Sequence, residues 1–157
     1  MARAVAWLTA LMVLLMVIVV VLRYAFDQGA IPLQEAIIYL HATAIMLGIP
    51  CALRDGVHVR VDIFQSRLTE RARAMVEAAG HLLFLVPTSV LILYFSIPYA
   101  HSAWIVLEGS AEVGGIPAVF LLKTLIPVMA LALLLQGLAE TLRRLPVILP
   151  SRFGSER

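Results

Sequence analysis

The segment from Arg54 to Asp62 sets His58, Arg60 and Asp62 apart by single valines. These residue types can pair with one another, hold lipid phosphate or meet charges on a partner chain. A positive segment that only clings to anionic lipid does not require such an order, so the alternation predicts a structural clasp built from Arg54, His58, Arg60 and Asp62. A second set is Arg23 with Glu35, separated by a short connection that keeps them close enough to form an ion pair. The third set, Trp104, Glu108, Ser110 and Glu112, precedes a flexible Gly114-Gly115 pair. An acidic and aromatic rim of this kind suits the water-facing edge of a membrane, where its charges can steer the encounter with a partner more than set its affinity.

Several chemistries are excluded. The one cysteine, Cys51, rules out an intramolecular disulfide and any cysteine-based zinc or iron-sulfur site. There is no glycine-rich phosphate loop, Gly-x-Ser-x-Gly elbow or His-Glu-x-x-His motif, and no metal site is expected. The four histidines raise one alternative, a haem-binding membrane anchor subunit of a quinone-linked redox enzyme, because helical membrane bundles can hold haem between two imidazoles. His41 and His81 fall at different depths, about 18 Å and about 10 Å from the same membrane face at 1.5 Å per residue. His58 and His101 lie in connections. The mismatch disfavours that reading, and no cofactor is expected.

These residues need elements to hold them, and composition says which. The 157-residue chain is 62% hydrophobic and 14% charged, with a mean hydropathy of +0.97. Too few polar side chains remain to coat a soluble globule. A bilayer core takes about 20 mainly apolar residues per helix, and four such windows are present, at 5–26, 33–53, 74–98 and 118–138. The first ends in Arg23-Tyr24 and is too long for the apolar core of a secretory signal, so it is expected to be retained. Leu11 to Leu22 is apolar without a break, which excludes the alternation of a transmembrane strand. Only helices and closed barrels satisfy their own backbone in lipid. The expected fold is an all-α integral membrane protein, one domain over 1–157 with four transmembrane helices. Pro50, Pro87 and Pro127 fall within spans and predict local kinks.

Ten of the twelve basic residues lie before span one, between spans two and three, or after span four. The positive-inside rule makes that side cytoplasmic and puts both termini there. The net charge of +2 and pI near 9.0 then follow from topology and not from nucleic-acid binding. Val61, Phe64 and Leu68 share one face of the cytoplasmic connection while Arg60, Arg67 and Arg71 stay solvated. This pattern predicts a short amphipathic interfacial helix against membrane lipid. Thr69-Glu70 is expected to cap the third span. No charge falls at the centre of a span, which disfavours an independent small exporter.

Taken in order, Arg23-Tyr24, Gln34-Glu35, Gly48, Ala52 and Arg54, His58-Val59-Arg60-Val61-Asp62 and Leu68 resemble the small membrane subunit, DctQ type, of tripartite ATP-independent periplasmic (TRAP) transporters. In the second half, Trp104, Glu108-Gly109-Ser110, Gly114-Gly115-Ile116-Pro117, Lys123, Ile126-Pro127 and Gln136-Gly137 fit as well. The chain departs from many members in having Leu33 where they carry tryptophan, and Pro117-Ala118-Val119 where they carry Pro-x-Trp. The resemblance implies a non-enzymatic subunit of the bacterial inner membrane. It would scaffold a large TRAP membrane subunit and help dock a periplasmic substrate-binding protein, for sodium-driven uptake of an organic acid or related solute.

Overall fold

A computed structural model describes residues 2–54 and 68–148. Within them the chain is helical and contains no strand. Helices α1 (Ala2–Ala25) and α2 (Ile31–Arg54) have 24 residues each. Helix α3 (Glu70–Gly80) passes through a π-helical turn (His81–Leu85) directly into α4 (Val86–Ile105), and α5 spans Val119–Ile148. Four stretches are long and apolar enough to cross a membrane: Ala6–Ala25, Ile31–Arg54, Glu70–Ile105 and Val119–Ile148. The expected all-α class with four membrane helices is therefore observed. The proposed interfacial helix falls largely on 55–67, outside the described residues.

The last two helices outrun the expected spans 74–98 and 118–138. At 1.5 Å per residue the α3–α4 rod is about 54 Å long and α5 about 45 Å, against a hydrocarbon core of about 30 Å. Two local causes extend the rod. Thr69 takes extended backbone and its side chain accepts from the Ala72 amide at 3.3 Å, so the helix begins at Glu70. Pro98 sits inside α4 without ending it, and of the helical bonds it removes only its own donor to the Tyr94 carbonyl. Pro87 leaves its mark one turn earlier. It has no N–H for the Leu83 carbonyl, and the helix slips into π register just before it, with the Val86 amide reaching back to the His81 carbonyl.

Helix α5 is the middle of the assembly. It packs against α2 on one side and against the α3–α4 rod on the other, while α1 packs on α2. The helices thus follow a row, α1, α2, α5, α4. Contact between α4 and α5 runs through small residues: Ser89, Ser96, Ala100 and Ala103 on α4 and Ala130 and Gly137 on α5 are buried. A Cβ on Gly137 would lie 2.7 Å from Leu85 Cδ2, so the π turn presses on the α5 backbone at a point where a side chain would have to be displaced. Large residues such as Trp7, Phe84, Tyr94 and Phe95 point outward instead. Small residues inside and large ones outside is the pattern of helices that associate by close backbone approach in lipid. Hydroxyls within the spans are satisfied locally: Thr43, Thr124 and Thr141 each donate to the carbonyl four residues back, at 2.7, 2.7 and 2.8 Å.

Candidate functional site

The connection 106–118 joins α4 to α5 and carries the third sequence cluster. Its course is fixed from both ends. Helix α4 closes with the Glu108 amide donating to the Ala103 carbonyl at 2.9 Å and the Leu107 amide to that of Trp104 at 3.3 Å. This Schellman-type end puts Leu107 in the left-handed region at φ 46°. The chain then folds back on itself. The Ser110 amide donates to the Ile116 carbonyl at 3.2 Å, and the Gly115 amide closes a turn onto the Glu112 carbonyl at 3.0 Å. Gly114 sits at φ 78°, a conformation that glycine adopts without strain.

Glu35, at the start of α2, locks this hairpin from the side. One carboxylate oxygen accepts from the Ser110 hydroxyl, and the other accepts from the Ile116 amide at 2.5 Å. The Ser110 hydroxyl itself accepts from the Glu112 amide at 3.0 Å, so a single side chain relays between the turn and Glu35. The requirement for glycine at position 115 is steric, since a Cβ there would lie 2.7 Å from Glu35 Oε1. Glu35 thus meets residues 75 and 81 positions away, and the expected partner Arg23 is exposed at the last turn of α1 and absent from these bonds.

A second lock runs to α5. Glu108 pairs with Lys123 at 2.5 Å, and the ammonium lies 4.3 Å from the centre of the Tyr99 ring, a cation–π position. Trp104 donates from its indole N–H to the Thr124 hydroxyl at 2.8 Å and packs edge-on against Phe120 at 4.6 Å. Of the four residues expected to form a docking rim, Trp104, Glu108 and Ser110 are therefore occupied in holding the hairpin. The side chain of Glu112 alone of the four acts in none of these bonds, and it is exposed.

The opposite end of the row is also charged. Arg54 closes α2, while His58, Arg60 and Asp62 lie outside the described residues. Here sequence reasoning overlooked an ion pair between Glu77 of α3 and Arg144 of α5, with side chains 10% and 26% exposed. It had one signal: Glu77 is an acid inside an otherwise apolar stretch, a position that calls for a partner. Lys123 carried the same signal opposite Glu108.

Fold and site define a polytopic helical membrane protein whose charges sit at the two ends of the spans. A family profile described as "Tripartite ATP-independent periplasmic transporters, DctQ component" matches residues 12–147. The chain belongs to this family and is a TRAP transporter small membrane subunit of the bacterial inner membrane, as its resemblance implied. The family is a component of transporters, working with a large TRAP subunit and a periplasmic binding protein, and the haem-anchor alternative receives no support from it. No match to this chain was found among curated proteins.

Proposed function

We propose that this subunit scaffolds the large permease and offers its hairpin to the periplasmic binding protein, within a transporter that uses a sodium gradient to take up an organic acid or related solute. The observation that carries the proposal is the double lock on 106–118. Glu35 ties the hairpin to α2, and the Glu108–Lys123 and Trp104–Thr124 contacts tie it to α5. A loop whose function was only to connect two helices would not need three charged side chains to fix its shape. A fixed loop presents Glu112 at a defined position, which is what an encounter site requires. Outward-facing Tyr94 and Phe95 on α4 supply apolar surface for the large subunit or lipid.

In this reading the hairpin faces the periplasm and the end with Arg54 and Arg144 faces the cytoplasm. Cysteines at Arg71 and Val113, both exposed, in a Cys51→Ser background should label oppositely with an impermeant reagent. Labelling at position 71 from outside intact cells reverses the orientation. Docking is tested by Glu112→Lys, which leaves every bond of the hairpin in place. Uptake at limiting binding protein should slow by about two- to tenfold at low salt and recover as salt screens the charge. Uptake unchanged at all salt concentrations would make the hairpin a spacer. Arg54, His58, Arg60 and Asp62 form the proposed assembly clasp, so Arg60→Ala or Asp62→Ala should lower the yield of the two-subunit complex before substrate preference changes.

A further inference from the structure

The end of the molecule away from the hairpin contains a pocket of about 350 Å³ between α3 and α5. Glu70, Arg73 and Glu77 of α3 line one wall and Glu140, Arg143 and Arg144 of α5 the other. On each helix the three charged residues fall within two turns on one face, so two charged stripes look at each other across the gap. The lining holds three carboxylates and three guanidiniums, and it is open on one side.

The charges are partly paired. Glu77 and Arg144 join across the pocket, and Arg143 uses one guanidinium nitrogen on Glu140 Oε1 at 3.0 Å. One donor group remains open to the pocket. Arg143 is 64% exposed, and a guanidinium has five N–H donors, so most of its capacity is uncommitted. An acceptor with several oxygens, such as phosphate, would take up that capacity.

A bare anion is a poor fit, because Glu70, Glu77 and Glu140 repel it about as much as the arginines attract it. A head group with a phosphate beside a primary ammonium fits better: the arginines donate to the phosphate, and the carboxylates accept from the ammonium. A trimethylammonium has no N–H to give and loses the second half of this match. The depth also suits a lipid. Counting about 20 residues of α5 for the hydrocarbon from Val119 puts Glu140 just past it, in the head-group layer.

We propose that this pocket binds the phosphoethanolamine head of a membrane phospholipid, held between the Arg73, Arg143 and Arg144 guanidiniums and the Glu70, Glu77 and Glu140 carboxylates. The lipid would staple α3 to α5 where both leave the hydrocarbon. The site is independent of how the hairpin acts.

Native mass spectrometry of the full chain in detergent, titrated with phosphatidylethanolamine, phosphatidylcholine or phosphatidylglycerol of identical acyl chains, tests it. Phosphatidylethanolamine should be retained about tenfold more strongly than either of the others, the ratio expected for one additional charge-assisted hydrogen bond. Soluble phosphoethanolamine should compete, while inorganic phosphate should not. The double variant Glu70→Gln with Arg143→Gln changes two exposed side chains and leaves the Glu77–Arg144 pair intact, so a folded protein is expected. It should bind the three lipids alike. Equal retention of the three lipids by the unaltered chain overturns the proposal. So does competition by inorganic phosphate, which would make the pocket a plain anion site. Full preference in the folded double variant overturns it too, because the lipid would then sit elsewhere.

Discussion

The hairpin end and the opposite end of this protein use the same residue types for different purposes. At the hairpin, two carboxylates are matched to particular donors, Glu35 to the Ser110 hydroxyl and the Ile116 amide and Glu108 to Lys123, while that of Glu112 stays exposed. Two of these three donors come from a loop, and the result is a fixed loop. At the other end, the carboxylates and guanidiniums sit on two rigid helices that already pack along their length. There the charges are not needed to define the backbone, and a pocket remains open between them. Apart from Glu112, charge at this membrane interface therefore orders structure where the backbone is irregular, and lines an open pocket where the backbone is already ordered.

That contrast can be broken from either side. The largest effect is expected for Glu35→Ala, which leaves the Ser110 hydroxyl and the Ile116 amide without their acceptor. Two charge-assisted bonds at a half-buried site are together worth about 3 kcal/mol. The apparent melting temperature in detergent should fall, and limited proteolysis should cut within 106–118. Resistance to protease in a folded Glu35→Ala protein would show that the Lys123 and Trp104 contacts hold the hairpin without α2.

Glu77→Ala comes next. It strands a partly buried Arg144, and partial exposure at the lipid–water boundary reduces the penalty of a fully buried pair to about 2 kcal/mol. Here melting should drop with no new cleavage in the hairpin, since the rod and α5 keep their backbone. Protease sensitivity appearing at 106–118 in this variant would mean that the two ends are coupled through α5. Gly115→Ala is expected to cost about 1 to 2 kcal/mol by pushing Ser110 and Glu35 apart. It should mimic Glu35→Ala in proteolysis, more weakly. The smallest effect has the opposite sign. Leu107→Gly relieves a left-handed residue that carries a side chain, and should stabilise the hairpin by about 1 kcal/mol, read as a higher melting temperature.

The sequence alone was sufficient for the class of the molecule and most of its helices. Apolar runs of membrane length, the proline-independent continuity of each run, and Thr69 as a cap all express local physics that tertiary contacts do not override. The helix ends were less legible. The continuation of α4 past Pro98 to Ile105 and the change to π register one turn before Pro87 are not marked by any apolar pattern, because a proline is compatible with a helix end, a kink or a register shift alike.

The site divides in the same way. That Glu35 takes a partner was readable from its type and position near a span end, because a charge beside hydrocarbon needs one, whereas Trp104, Glu108 and Ser110 stood out in the sequence as an outward rim and are bonded within the fold. Which partner each one takes was not readable. Arg23 is the nearer cation to Glu35 along the chain, but the hairpin reaches it through space, and the row order α1, α2, α5, α4 brings the start of α2 against 106–118. Glu77 and Arg144 are likewise joined by the antiparallel packing of α3 on α5, over a separation no local pattern encodes. Local sequence fixes what must cross the membrane and which groups cannot be left alone in it. Helix packing, a property of shape and small-residue contacts summed over the whole chain, decides which of those groups meet.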